Sequence, residues 1–422
     1  MAIVPHPTAA RSAALPLLLA LTLGAAGCGD PVAPVPKEIT ELPRQLTVTE
    51  QALVTSANAF GFDLFARVHA AETGPNVFLS PLSASMALGM ALNGAAGSTF
   101  DAMRTALHHG ESSQEEINAA YRGLLDVLQD LDPRVRFRIA NSIWTRQGFP
   151  VLPSFYDVLK REFDAEAEEL NFSDPAAAER INGWVKDRTQ GKIDEIVKAP
   201  IPPEVVMYLV NAMYFKGTWT ERFDPSATRD RPFTRPDGST VQAPLMHLET
   251  TLPYYENATL QAVELPYGGK AYSMVVVLPK PGHALGDLVA SLDAGAWNAL
   301  VDGLHETQVI LDLPRFRFSY DAGLKDPLTA MGMGIAFDAS AADFSRLTPG
   351  RAHISSVLQK TFVEVNEEGT EAAAVTVVTI GVTSAPQRVV MTVDRPFLFA
   401  IRERFSGTIL FMGTIGDPTL EK

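Results

Sequence analysis

Apolar residues recur at three- and four-residue spacing in ANAFGFDLFARVHAA (57–71), QEEINAAYRGLLDVLQD (114–130) and AAAERINGWVKDRTQ (176–190). That spacing gathers them on one face of a helix, so each stretch is predicted helical. Ser80-Pro81 is a start signal, a capping side chain followed by a residue whose fixed φ suits a first helical turn. It predicts a helix through LSASMALGMALNGA, stopping near Gly94. FRIANSIW, VVMYLVNAMYF, AYSMVVVLP, TQVILDLPRFRF, TFVEV, RPFLFAIR and GTILFMG instead read as strands, rich in β-branched and aromatic residues. Several are apolar on both faces, as central strands covered on both sides would be. The class is α+β, with helices first and strands dominating the second half.

Composition agrees with a packed chain. The 422 residues are 46% apolar and 20% charged, enough for a large core. A formal charge of −14 argues against a general phosphate-binding surface, so nucleic acid is not an expected partner. From about Val48 onward there is no second linker and no internal repeat.

The first residues read as an address. Arg11 precedes the apolar run AALPLLLALTLGAA, which is short for a bilayer span and carries Pro16, as expected of a secretory signal in residues 1–27. Ala25-Ala26-Gly27-Cys28 resembles the bacterial lipobox, whose cysteine becomes the lipidated first residue. Cys28 is the only cysteine, so no intrachain disulfide forms; lipidation gives the thiol a purpose, and the alternative is ordinary secretion with an incidental cysteine. Pro31, Pro34, Pro36 and Pro43 make residues 28–48 an extended tether ahead of a single domain, 49–422. The chain is expected to be exported, either lipid-anchored in the cell envelope or released to the periplasm or the exterior.

Enzyme patterns fail one by one. His305-Glu306 opens an H-E-x-x-H pattern, but Val309 stands where the second histidine belongs. Gly332 and Gly334 resemble part of a dinucleotide fingerprint, yet Phe337 replaces the last glycine. His108 and His109 are adjacent, which puts their rings on different helix faces. No catalytic residues, cofactor or metal are expected.

Residues 367–381, EEGTEAAAVTVVTIG, pose a different question. As a strand, Thr370, Ala372, Ala374 and Thr376 share one face, and Glu371, Ala373, Val375 and Val377 the other. The first set is small and uncharged, as a strand entering an already packed sheet must be. Gly369 allows the backbone to turn at the entry point, while Glu367 and Glu368 are expected to stay solvated. An alanine-rich flexible loop or a short helix fits the composition equally well.

EEGTEAAA (367–374) resembles the reactive-loop hinge of inhibitory serpins, with Glu367, Glu368, Gly369, Thr370, Glu371, Ala372, Ala373 and Ala374 in the hinge positions. The similarity runs from about residue 49 to 418. NVFLSPLSASMALGMALNGA, INGWVKDRTQGKI, LVNAMYFKGTWTERFDP, ADFSRLT, DRPFLFAIR and GTILFMGTIGDP match family segments in order. The chain is identified as a member of that family, of bacterial type with a lipoprotein-like signal. The resemblance implies helices packed around a large mixed sheet, smaller sheets and an exposed reactive loop. It further implies shutter residues Ser80, Ser83, Asn211 and Gln359, and Trp219 at the breach. Gln359 stands where many members have histidine, so insertion is expected to lack a histidine-linked pH step there and to keep a hydrogen bond to Asn211.

The implied function is suicide inhibition of serine proteases, extending to cysteine proteases, by a monomer that performs no catalysis itself. Counting from the hinge at the family's usual loop length puts the reactive bond at Thr383-Ser384, with Val382 and Ala385 as neighbours and Arg388 as rival bait. A small uncharged residue suits elastase-like or subtilisin-like pockets. Heparin is not an expected partner, because Arg122 is the only base in QEEINAAYRGLLDVLQD. The alternative is a non-inhibitory carrier or chaperone lipoprotein on the same fold.

Overall fold

The structure is a computed structural model that describes residues 38–370 and 388–421. Helix α1 (Val48–Ala71) starts at Thr47, whose hydroxyl accepts from the Glu50 N–H while the Glu50 carboxylate accepts from the Thr47 N–H. This reciprocal cap fixes where the chain enters the body. The residues before it are already docked, for the Ile39 N–H donates to the Gly269 carbonyl at 2.7 Å. Arg44 forks onto the Glu50 carboxylate at 2.7 Å and reaches the Gly123 carbonyl at 3.0 Å. The stretch expected as tether therefore joins the body from residue 38 on.

Strand β1 (Asn76–Leu79) leads through the Ser80 cap into α2 (Pro81–Leu92), then α3 (Gly97–Ala106) and α4 (Gln114–Leu128). The middle of the chain alternates, with β2 (Val135–Arg146), α5 (Pro153–Phe163), β3 (Glu166–Leu170), α6 (Ala176–Arg188) and β4 (Met207–Thr218). Strands β5 (Arg229–Thr234), β6 (Thr240–Glu256), β7 (Leu260–Tyr267) and β8 (Tyr272–Pro279) precede two short helices, α7 (Leu285–Ser291) and α8 (Ala294–Asp302). The expected single strand at 307–318 is two, β9 (His305–Pro314) and β10 (Phe316–Gly323), which lie in different sheets and part at Arg315. After α9 (Lys325–Leu328) come β11 (Leu358–Asn366), β12 (Gly369–Thr370), β13 (Val389–Thr392), β14 (Phe397–Glu403) and β15 (Ile409–Ile415).

These strands form two sheets among the described residues. One has nine strands, with β5 pairing β6 beside the path β1-β15-β14-β8-β7-β6-β9-β13. The other runs β10-β11-β12-β4-β2-β3. Strands β8, β14 and β15 are buried at every residue, as their unbroken apolar runs predict. On the nine-stranded sheet Phe78 stacks on Phe399 and Phe411, with ring centroids 5.5 and 5.3 Å apart, and it meets Phe318 of the other sheet at 6.1 Å. A second, separate core of Trp144, Phe172, Ile181 and Trp184 packs α6 over β2 and β4.

His109, in the turn after α3, is buried against Tyr121 with the ring planes near perpendicular (centroids 6.0 Å apart), and its Nε2 has no hydrogen-bond partner among the described residues. Burial, helped by neighbouring His108, pushes its pKa from 6.5 down to about 4. The unfolded chain then binds the extra proton first, so stability is lost as pH falls from about 6.5 to about 4. The expected loss across that window is about 3 kcal/mol. Urea unfolding at stepped pH should show it, and His109→Leu should flatten that part of the profile.

Candidate functional site: the parted centre of the six-stranded sheet

Strands β4 and β11 run parallel, and among the described residues they share no ladder of their own; β12 stands between them. It is antiparallel to both, with Gly369 opposite Asn366 and Thr218, and Thr370 opposite Val365 and Gly217. The first two residues after the Glu367-Glu368 turn are thus already a strand at the centre of the sheet. The sequence question is answered for these two residues. Glu371, Ala372, Ala373 and Ala374, the bond Thr383-Ser384 and Cys28 lie outside the described residues.

Glycine is needed at the entry. Gly369 has φ +147°, and a Cβ there would sit 2.1 Å from the Gly217 carbonyl oxygen and 2.7 Å from the Thr218 Cα. Only a residue without a side chain lets the two backbones approach this closely. Thr370 is 4% exposed, and its hydroxyl lies 2.7 Å from that of Tyr267, at the end of β7. Burial pushes the Tyr267 ionisation far above the ordinary tyrosine range, so its hydroxyl stays protonated.

Trp219, just past the end of β4, holds the turn from outside the ladder. Its backbone N–H donates to the Glu368 carbonyl and its indole N–H to the Asn366 carbonyl, both at 2.9 Å. The expectation for the two glutamates is corrected. Glu367 is 5% exposed, its carboxylate bound by the Arg315 guanidinium (Nε 2.6 Å) and the Thr228 hydroxyl. Glu368 remains partly exposed. A carboxylate can be buried here because a charge-assisted pair replaces the lost water. Glu367→Gln removes that charge, while Arg315 is 42% exposed and keeps part of its hydration. We expect a loss of roughly 1–3 kcal/mol, toward the lower end, in urea unfolding at pH 7.

Lower in the sheet, Gln359 on β11 binds the backbone of Ser80. The Ser80 N–H donates to Oε1 and Nε2 donates to the Ser80 carbonyl, both at 2.9 Å. The expected bond to Asn211 is not made, because the amide is committed in both directions to Ser80. The Ser80 hydroxyl donates to the Leu410 carbonyl at 2.7 Å and accepts from the Ser83 N–H at 3.3 Å, tying α2 to β15. Ser83 is buried in the same cap. Asn211 donates through Nδ2 to Asn141 across the β4–β2 pair at 2.7 Å, and its buried Oδ1 has no hydrogen-bond partner among the described residues.

Arg315, Thr228 and Tyr267, which bind Glu367 and Thr370, were not singled out by sequence reasoning. Each comes from a segment far from the hinge, and none carries a local signal beyond ordinary strand or loop composition. Arg388, the rival bait, directly precedes β13 and pairs with Glu249 at 2.7 Å.

The described start of the segment after Glu368 pairs between two parallel strands at the centre of the six-stranded sheet. Residues 55–418 match the family described as serpin (serine protease inhibitor), and the chain belongs to the serpin family. An uncharacterized serpin-like protein of Thermococcus kodakarensis is 37% identical over 87% of this chain and 86% of its own length. The crystal structure of the thermophilic serpin tengpin in the native state superposes with a TM-score of 0.80 at 30% identity, covering 90% of this chain and 96% of that one. Thyroxine-binding globulin in complex with thyroxine matches with a TM-score of 0.78 at 28% identity, covering 87% and 100%.

Proposed function

We infer that this chain is a suicide-substrate inhibitor of serine proteases, extending to cysteine proteases, that traps its target by drawing the cleaved reactive loop into the six-stranded sheet. The observation that carries this reading is the register of β12. Continued along the same antiparallel pairing, it brings Ala372 opposite Val363 and Phe215, Ala374 opposite Thr361 and Met213, and Thr376 opposite Gln359 and Asn211. The flanking residues include large buried side chains, so the small set Thr370, Ala372, Ala374 and Thr376 is what the core face has room for. Thr376 would also bring a hydroxyl to the unpartnered Asn211 Oδ1.

The chemistry belongs to the target. The protease nucleophile attacks the Thr383 carbonyl carbon, the C–N bond to Ser384 breaks, and the new amine leaves with a proton from the protease's general acid. The acyl bond then links Thr383 to the enzyme. Insertion of the segment ending there, at about 3.3 Å per residue, carries the acyl-enzyme roughly 50 Å from the turn at Glu368. New ladder bonds to β4 and β11 drive the movement. An elastase-like or subtilisin-like target is favoured by the small residue at Thr383.

In this reading the protein acts as an exported monomer, held to the cell envelope by a lipid on Cys28 or released beyond it. Heparin is not a partner, because α4 carries no cationic stripe. The protein performs no hydrolysis of its own.

The test is to incubate the purified protein with an elastase-like and a subtilisin-like serine protease, followed by denaturing gels and mass spectrometry. A covalent complex that survives denaturant, with a released peptide starting at Ser384, is expected. Clean cleavage without complex moves the function to a carrier or chaperone on the serpin fold, the reading that the thyroxine-binding neighbour illustrates for that protein.

A further inference from the structure

Tyr267 is placed by contacts of its own ring and backbone, made to residues of β4 and the segment after it and to Asp132 rather than to Thr370. Its ring stacks on Trp219 with centroids 4.4 Å apart and planes 13° from parallel, and meets the edge of Phe215 at 5.1 Å. Gly217 leaves room for it, since a Cβ there would lie 2.8 Å from the ring. The turn that follows is fixed as well. The Gly268 N–H donates to the Thr218 carbonyl at 2.8 Å, and the Gly269 N–H to the Asp132 carboxylate at 2.7 Å. A fully buried ring clamped on two sides, with its backbone pinned, has one direction in which to aim its hydroxyl. The partner there is Thr370, at 2.7 Å.

We propose that Tyr267 is a positioning residue for strand insertion, latching Thr370 in the sheet before any protease has acted. Forming a new strand inside a sheet is costly at its first residues, where backbone entropy is lost before the ladder lengthens. Here two residues are already ordered and the register is set. Insertion then elongates a formed nucleus. The latch also selects for the hinge residue, because a side chain without a hydroxyl leaves the buried Tyr267 O–H unsatisfied. The role in trapping rests on the inhibitor reading above, whereas the latch itself exists in the free protein.

The experiment compares wild type, Tyr267→Phe, Thr370→Val and the double variant by hydrogen exchange of the free protein, followed by mass spectrometry of the peptide covering 366–370. Tyr267→Phe keeps the ring contacts, and Thr370→Val keeps the shape at the other end, so a folding failure in one leaves the other informative. Exchange is expected to rise about five- to tenfold in each single variant. It should rise no further in the double, since both remove the same bond. Unchanged exchange, or effects that multiply in the double, overturn the latch, as a merely structural tyrosine would give independent effects. With protease added, the moles of inhibitor consumed per mole of enzyme trapped should rise in both single variants; an unchanged ratio overturns the role in insertion. If wild type forms no covalent complex while exchange responds as stated, the inhibitor reading fails and the latch stands.

Discussion

Thr370→Arg is expected, on the inhibitor reading proposed above, to turn a protein that traps protease into one that is merely cleaved. The position is 4% exposed, flanked by Val365 and Gly217 and capped by the Tyr267 hydroxyl, and among the described residues none of these three neighbours is an acid that could receive a guanidinium. Burying it unpaired costs roughly 3–5 kcal/mol. That penalty falls on every state in which the hinge is in the sheet, before and after cleavage. The proposed reactive bond at Thr383-Ser384 is untouched, so cleavage should be retained. Titrating the variant against a protease that wild type traps should show near-complete loss of covalent complex, with cleavage retained. Unimpaired complex formation would sink the insertion mechanism.

Gly369→Val should expel the hinge by a different route. The obstacle is steric, since a Cβ would sit 2.1 Å from the Gly217 carbonyl oxygen, and a β-branched residue resists φ +147°. Neither can be relieved by rotating a side chain, because the clash is with backbone. We expect a penalty of about 3 kcal/mol or more on the docked hinge. The Glu368 and Asn366 carbonyls would be pulled from Trp219, so exchange at 366–370 should approach that of an open chain, and tryptophan fluorescence should change. The two variants separate causes: Thr370→Arg disturbs the core face through charge, and Gly369→Val the ladder through backbone approach. If Gly369→Val traps protease as wild type does, close packing of β12 against β4 is not needed for insertion.

Much of the fold was legible because local pattern and global packing agree. The helical spacing of 114–130 becomes α4 and that of 176–190 becomes α6, each ending within two residues of the stretch read. The Ser80-Pro81 start becomes α2, and the doubly apolar runs become β8, β14 and β15. Strand β6 was not legible. It carries Pro244 and Pro253, which argue against a strand locally, yet it pairs along most of its length with β5 and β9. Strand β3, EAEEL, was hidden for another reason: its five residues are largely charged, and only parallel pairing with β2 makes them a strand.

The candidate site divides in the same way. Sequence by itself left strand, loop and helix open for the segment beginning at Gly369, and only its resemblance to the serpin hinge pointed to a strand entering the sheet. It did determine that Ser80 caps a helix. Tertiary structure decided what those residues meet. It buried Glu367 against Arg315, turned Gln359 toward the Ser80 backbone rather than Asn211, and set Tyr267 over Thr370. The reason is physical. Strand and helix propensities act between near neighbours, whereas burial, charge pairing and buried hydrogen bonds join groups 52, 279 and 103 residues apart, whose meeting only the folded sheets determine.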